Sequence, residues 1–246
     1  MEQAHLTAVL GFPLFAALSD EARGRLQAEG FVQSQPVDAI LFEQGQGAQF
    51  LHVILSGSVA LVGSAAATEA SVDVPADAQS RVVVDREAII EIFGAGDVVT
   101  IAAVLLNLPY MMSARTIAPS RIAYLPAPLI RSFLDNEASF AKAVAMKLAK
   151  HWRLLSRQLK DQKLRSGTQR LGGYLLSLSD GRMNGAATID LPVDRRTLAS
   201  WLGMSAENLS RSLAQLKSIG VHVSGRHTQI DDIARVRSFC LEDDLR

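Results

Sequence analysis

Residues 136–163, NEASFAKAVAMKLAKHWRLLSRQLKDQK, hold neither glycine nor proline. Phe140, Val144, Leu148, Leu155 and Leu159 recur along them at three- and four-residue steps, with Trp152 close to the stripe. That period predicts one amphipathic helix. Its other face carries Lys142, Lys147, Lys150, Arg153, Arg157, Lys160 and Lys163. Globular helices average about 11–12 residues, so this one is long. Two readings fit. The stripe is a core face with a solvated basic back, or it is a seam that pairs with its copy in a homodimer.

Upstream the pattern changes. ILFEQGQGAQFLHVILSGSVALV (40–62), AIIEIFGAGDVVTIAAVL (88–105) and SARTIAPSRIAYLPA (113–127) are short β-rich runs broken by glycines. Residues 1–125 therefore read as mostly strand, in a β-sandwich or jelly roll. An Ala, Ser and Asp-rich stretch, 63–85, reads as a long hairpin excursion with no assigned role.

Downstream, three helical patterns precede a hairpin. They are GTQRLGGYLLSLSD (167–180), DRRTLASWLG (194–203) and SAENLSRSLAQLKSIG (205–220). Asp194 and Ser205 are N-cap candidates and Gly220 a C-cap. Only GMS separates the last two helices, the length of a helix-turn-helix. Ala199 suits a close crossing, Gly203 the positive φ of the sharp turn. Leu209, Leu213 and Leu216 form the inward face. VHVSGRHTQID (221–231) alternates about Ser224-Gly225 as a hairpin does, which makes the unit a winged helix. The whole is α+β: a β-rich part over 1–135, a helix over 136–165 and a helix-turn-helix part over 166–246.

Charge sharpens this division. Residues 1–135 hold 7 Lys+Arg against 14 Asp+Glu, and residues 136–246 hold 18 against 11. The second part thus suits a polyanionic partner. One cysteine, Cys240, excludes a disulfide framework and an all-cysteine iron–sulfur cluster, leaving at most a minor redox handle. No apolar run of about 18 residues predicts a membrane span, and the start lacks a signal-peptide pattern, so a cytoplasmic protein is expected. Nucleophile-elbow, P-loop, Rossmann and zinc-hydrolase motifs are absent, which argues against an enzyme.

The order of parts, with FEQGQGAQFLHVILSGSVALV, GAGDVV and TLASWLGMSAENLSRSLAQLKSIG, resembles the CRP/FNR family of bacterial transcription regulators over nearly the whole chain. The resemblance implies a cyclic-nucleotide-binding-like β-roll, a central dimerisation helix and a winged helix-turn-helix. It also implies a homodimer on two-fold symmetric double-stranded DNA, with RNA polymerase as protein partner. On it, Phe140, Val144, Leu148, Trp152, Leu155 and Leu159 form the dimer seam. The alternative is a cyclic-nucleotide-like module acting through protein partners, which leaves the helix-turn-helix and the basic second part unexplained.

The resemblance also locates a departure. Cyclic-AMP-binding members carry a glutamate and then Arg-Ser after the Gly-Asp turn. Lining up Gly96-Asp97 puts Ile101 at the glutamate and Met111 and Met112 at the Arg-Ser pair. Methionine offers a phosphate neither charge nor donors, so cyclic AMP is not expected. Arg115 is nearby, and a shifted alignment would bring it in. Ile101, Leu105, Met111 and Met112 then line either a pocket packed shut or an apolar pocket for haem or another hydrophobic effector. Haem needs an axial ligand, for which His5, His52 and His151 are the candidates.

The third helix carries the reading chemistry. Recognition helices read base edges with their N-terminal residues. Glu207, Asn208, Ser210 and Arg211 fall there. Glu accepts from cytosine N4, and Arg donates twice to guanine O6 and N7. Glu-x-x-Ser-Arg is similar to the FNR-type subclass, which reads TTGAT half-sites, expected here about 34–36 Å apart. Ala206 stands where the cyclic-AMP-type subclass has an arginine. Arg195, Arg196, Ser205, Arg226 and His227 are candidate phosphate contacts. Glu207 and Arg211, four apart, also suit a plain surface salt bridge.

Overall fold

A computed structural model describes residues 3–65, 86–179 and 181–241. The side chain of His5 and residues 66–85 of the excursion lie outside the described residues. The chain separates into two compact units, Met1–Leu148 and Ala149–Arg246, and the division falls inside the long helix.

The first unit opens with α1 (Gln3–Leu10) and α2 (Asp20–Glu29), where strand was expected. The cause is local. The Ser19 hydroxyl caps α2 by accepting from Ala22 N, and Asp20 and Glu21 sit in its first turn. Leu6, Val9, Ala22 and Leu26 then bury against the sheet. Next come β1 (Phe31–Gln35), β2 (Ile40–Phe42), β3 (Phe50–Ser56), β4 (Val59–Ala65), β5 (Arg86–Phe93) and β6 (Val98–Val99). A helix, α3 (Ile101–Leu106), interrupts the apolar run read as strand. Then follow β7 (Ser113–Thr116), β8 (Ser120–Pro126), α4 (Ala127–Asn136) and α5 (Ala138–Leu164).

The strands form two antiparallel four-stranded sheets, β1-β8-β3-β6 and β2-β7-β4-β5. Alternation along β3 sorts two cores. Leu51 and Val53 face the helices, packing with Leu26, Ile130, Phe133 and Phe140. His52 and Ile54 face the space between the sheets, where Ile54 packs with Phe42, Leu61, Tyr110 and Tyr124. Gly57, at φ +88°, makes the β3–β4 turn. A Cβ there would lie 2.2 Å from Ser120 Oγ, so only glycine fits.

The second unit continues α5 and adds α6 (Gly167–Ser177), β9 (Ala187–Asp190), α7 (Arg195–Trp201), α8 (Ala206–Lys217), β10 (Val221–Ser224), β11 (His227–Ile230) and α9 (Ile233–Leu241). The expected hairpin is present, with Ser224 paired to His227. It gains a third strand, because β9 pairs with β11. The first helix is fixed by a capping box between Ser166 and Gln169. Cys240 is a core residue: a Cβ on Gly172 would lie 2.6 Å from its sulfur. Burial pushes its thiol up to about 11, so little thiolate exists at neutral pH.

Candidate nucleic-acid interface

Both helices of the expected helix-turn-helix start at a side-chain cap. Thr197 N donates to Asp194 Oδ1 at 2.8 Å, and Asn208 N donates to Ser205 Oγ at 3.1 Å. The Thr197 amide holds the Asp194 carboxyl below its ordinary value. Between them Gly203 takes φ +64°, and Met204 N donates to Ala199 O at 3.0 Å to close the turn. Leu198, Ala199, Leu209 and Leu216 are buried. Leu213 is only half-buried and Ser212 takes a buried place instead, its hydroxyl accepting from Thr168 Oγ1 at 3.2 Å. The shift follows the helical period: 209, 212 and 216 share one face, and 213 stands at its margin. Gly220 is not the C-cap. The helix closes at Ser218, and Gly220, at φ +92°, leads into β10.

The opposite face of α8 exposes Glu207, Asn208, Ser210 and Arg211. Arg211 Nη2 donates to Asn208 Oδ1 at 2.7 Å and lies 3.4 Å from Glu207 Oε1. Both side chains of the Glu207–Arg211 pair are largely exposed, so the ion pair adds little stability.

Arg195, Arg196, Ser205, Arg226 and His227 are exposed. Arg226 Nη2 reaches Pro192 O at 3.4 Å, and His227 Nδ1 meets Asp190 Oδ1. The wing holds a second such pair, His222 Nε2 with Asp231 Oδ2 at 3.2 Å. Arg195 and Ser210 share a cleft of about 180 Å³ with Lys217, which also borders a cleft of about 370 Å³ beside His222 and His227. Lys217 escapes sequence reading because a lysine in a last helical turn is expected simply from the helix dipole.

The expected seam divides. Phe140 and Val144 are buried in the core of the first unit, and Leu148 is partly buried against it. Trp152, Leu155 and Leu159 are exposed, Trp152 at 71%. Met146, Leu154 and Leu164, not placed on the stripe from sequence, are exposed as well. Two sets of apolar residues on one helix thus have two surroundings.

The four expected effector-pocket residues do not come together. Ile101 and Leu105 pack on the helical side, Met112 packs between the sheets and Met111 is 80% exposed. Helix α3 turns 101–106 one way, and the return to extended chain sends the two methionines apart. Arg115 points outward, 3.4 Å from Glu87, so a shifted alignment does not bring it between the sheets.

His52 is 2% exposed and ringed by Phe42, Tyr110 and Tyr124, with centroids 5.1, 6.3 and 5.0 Å away. Its Nδ1 has no hydrogen-bond partner. Burial pushes its pKa down to about 4. These rings close the imidazole in, which fits a haem iron poorly. His151 is half-buried on α5. Among the described residues no cluster of three or more His, Cys, Asp or Glu could hold a metal ion, and no helix is long and apolar enough to cross a membrane.

Comparison with known proteins gives two domain matches. Residues 33–137 match the cyclic nucleotide-binding domain, and residues 169–239 the Crp-like helix-turn-helix domain. A structure from Ruegeria pomeroyi, provisionally named a cyclic nucleotide binding protein, is 28% identical, with 97% of each chain covered and a TM-score of 0.59. FixK2 of Bradyrhizobium japonicum is 18% identical over 85% of this chain and 96% of its own, at TM-score 0.67. A CooA mutant of Carboxydothermus hydrogenoformans is 17% identical over 96% and 95%, at TM-score 0.69. The last two likenesses are of fold. No curated protein sequence matches.

Proposed function

Because the chain belongs to the CRP/FNR family of DNA-binding transcription regulators, we propose that it binds a TTGAT-like palindrome as a homodimer, with an effector other than cyclic AMP. The observation that carries this reading is the outer face of α8. A helix capped by Ser205 presents Glu207, Ser210 and Arg211 together on exposed turns, while its other face is anchored by Leu209, Ser212 and Leu216. Such a helix start suits the major groove.

The roles follow from donor chemistry. Arg211 donates to guanine, Glu207 accepts from cytosine N4 and Ser210 serves either. Arg195, Arg196, Arg226, His227 and the Ser205 region position the protein on phosphates. Exposed Trp152, Leu155 and Leu159 supply the dimer seam. RNA polymerase is the protein partner that the family implies. The scattering of Ile101, Met111 and Met112, with Arg115 turned outward, supports an effector other than cyclic AMP.

Titrating the full chain into labelled TTGAT palindrome and into a scrambled duplex, at several salt concentrations, tests the reading. It expects tighter binding to the palindrome and a falling affinity with salt for both. Equal affinity for the two duplexes overturns it.

A further inference from the structure

We infer that Asn208 is the positioning residue for Arg211: it sets where the guanidinium meets a base and reads none itself. The inference rests on the DNA-binding reading above.

Three contacts make a chain. The Ser205 hydroxyl accepts from the Asn208 amide at 3.1 Å, which fixes the Asn208 backbone at the third position of α8. The Asn208 side-chain oxygen accepts from Arg211 Nη2 at 2.7 Å. Glu207 Oε1 stands 3.4 Å from the same nitrogen. The shorter contact is Asn208's, and it is a charge-assisted hydrogen bond between residues three apart on a helix.

An asparagine that reads adenine needs its oxygen to accept from N6 and its amide nitrogen to donate to N7. Here the oxygen already accepts from Arg211, so turning the amide to present both its oxygen and its nitrogen to adenine would break that charge-assisted bond. The guanidinium, by contrast, keeps its reading capacity. Nη2 carries two hydrogens, each paired with one on a neighbouring nitrogen, so giving one to Asn208 leaves a two-donor edge for guanine. Holding the long Arg side chain before DNA arrives lowers the entropy lost on binding. Glu207 stands near the same nitrogen as a charge contact and takes none of its hydrogens in a hydrogen bond, and its second oxygen remains available to cytosine.

The test measures affinity of the full chain for the TTGAT palindrome, for versions with its G·C pair or one A·T pair replaced, and for a scrambled duplex, at fixed salt. Asn208→Ala is expected to reduce the preference for the parent pair by about tenfold, with affinity for scrambled duplex unchanged. Asn208→Asp keeps an acceptor for Arg211 but lacks the amide donor, so it restores the preference, judged as a ratio of affinities. In the Arg211→Ala background, Asn208→Ala should change nothing further. Unaltered preference in Asn208→Ala overturns the inference, as does a loss at an A·T pair in Asn208→Asp. Wild type that does not prefer the palindrome refutes the DNA reading itself, and this inference with it.

Discussion

The rings of Phe15 and Phe140 stack with centroids 5.9 Å apart and planes inclined at 30°. Phe140 also meets Phe133 edge-on at the same separation. The start of the long helix is therefore core of the first unit, and its exposed apolar residues lie further along.

That division predicts two different outcomes on one helix. Phe140→Ala opens a cavity beside Phe15 and Phe133 and should cost about 3–5 kcal/mol of stability. Leu155→Glu with Leu159→Glu changes exposed positions and should leave monomer folding intact while preventing dimers. Denaturant unfolding and analytical ultracentrifugation check the two. A fully dimeric double variant would contradict the seam.

His52 makes stability pH-dependent. Its folded-state pKa is about 4, below the ordinary 6.5, so the folded form disfavours the proton. Between pH 6.5 and 4 the unfolded chain takes up that proton and the folded chain does not. Stability is then lost on acidification through this window, by up to about 3 kcal/mol, with no contribution above it. Unfolding followed against pH should show a shallower slope in His52→Phe than in wild type.

Glu91 acts in the opposite sense. Desolvation, then the Asp97 charge, push its carboxyl up to about 7, and Lys147 offsets part of this. The folded chain keeps the proton from pH 4.5 to 7 while the unfolded chain releases it, so this group's contribution falls as pH rises. Glu91→Gln should remove that loss and leave the variant steeper than wild type in its gain of stability over this range. A variant whose pH profile overlays wild type would refute the assignment.

Cyclic AMP should leave the chain unaffected. A ligand that binds only the folded state stabilises by about 2.7 kcal/mol at 100 times its dissociation constant. Calorimetry with millimolar cyclic AMP should show neither heat of binding nor a raised melting temperature. Micromolar binding would contradict the departure at Ile101, Met111 and Met112.

What the sequence makes legible is what short-range chemistry decides. Asp194 and Ser205 cap their helices within three residues, Gly203 turns the chain between them, and Ser224-Gly225 closes the wing. The α5 pattern needs no partner to be seen. Long-range packing decides the rest. In α1 and α2, Leu6, Val9 and Leu26 gain meaning only against the sheet. Strand β9 joins β11 across almost forty residues, pairing Asp190 with His227. The apolar run from 101 to 112 reads as one surface, yet a helix and a reversal of chain divide it among two cores and solvent. The 2.7 Å bond from Arg211 to Asn208 depends on rotamers that spacing alone does not choose.

The central claim is that the Glu207–Arg211 face of α8 reads bases. It is tested most directly by the base preference of Arg211→Ala, measured on the TTGAT palindrome and on each single-base substitution of it. The account predicts a loss of about 1–3 kcal/mol per half-site and relaxed selectivity at one G·C pair, with other positions still discriminated. Parent-site affinity equal to wild type, with the same preference at every position, would make the pair a surface salt bridge and nothing more.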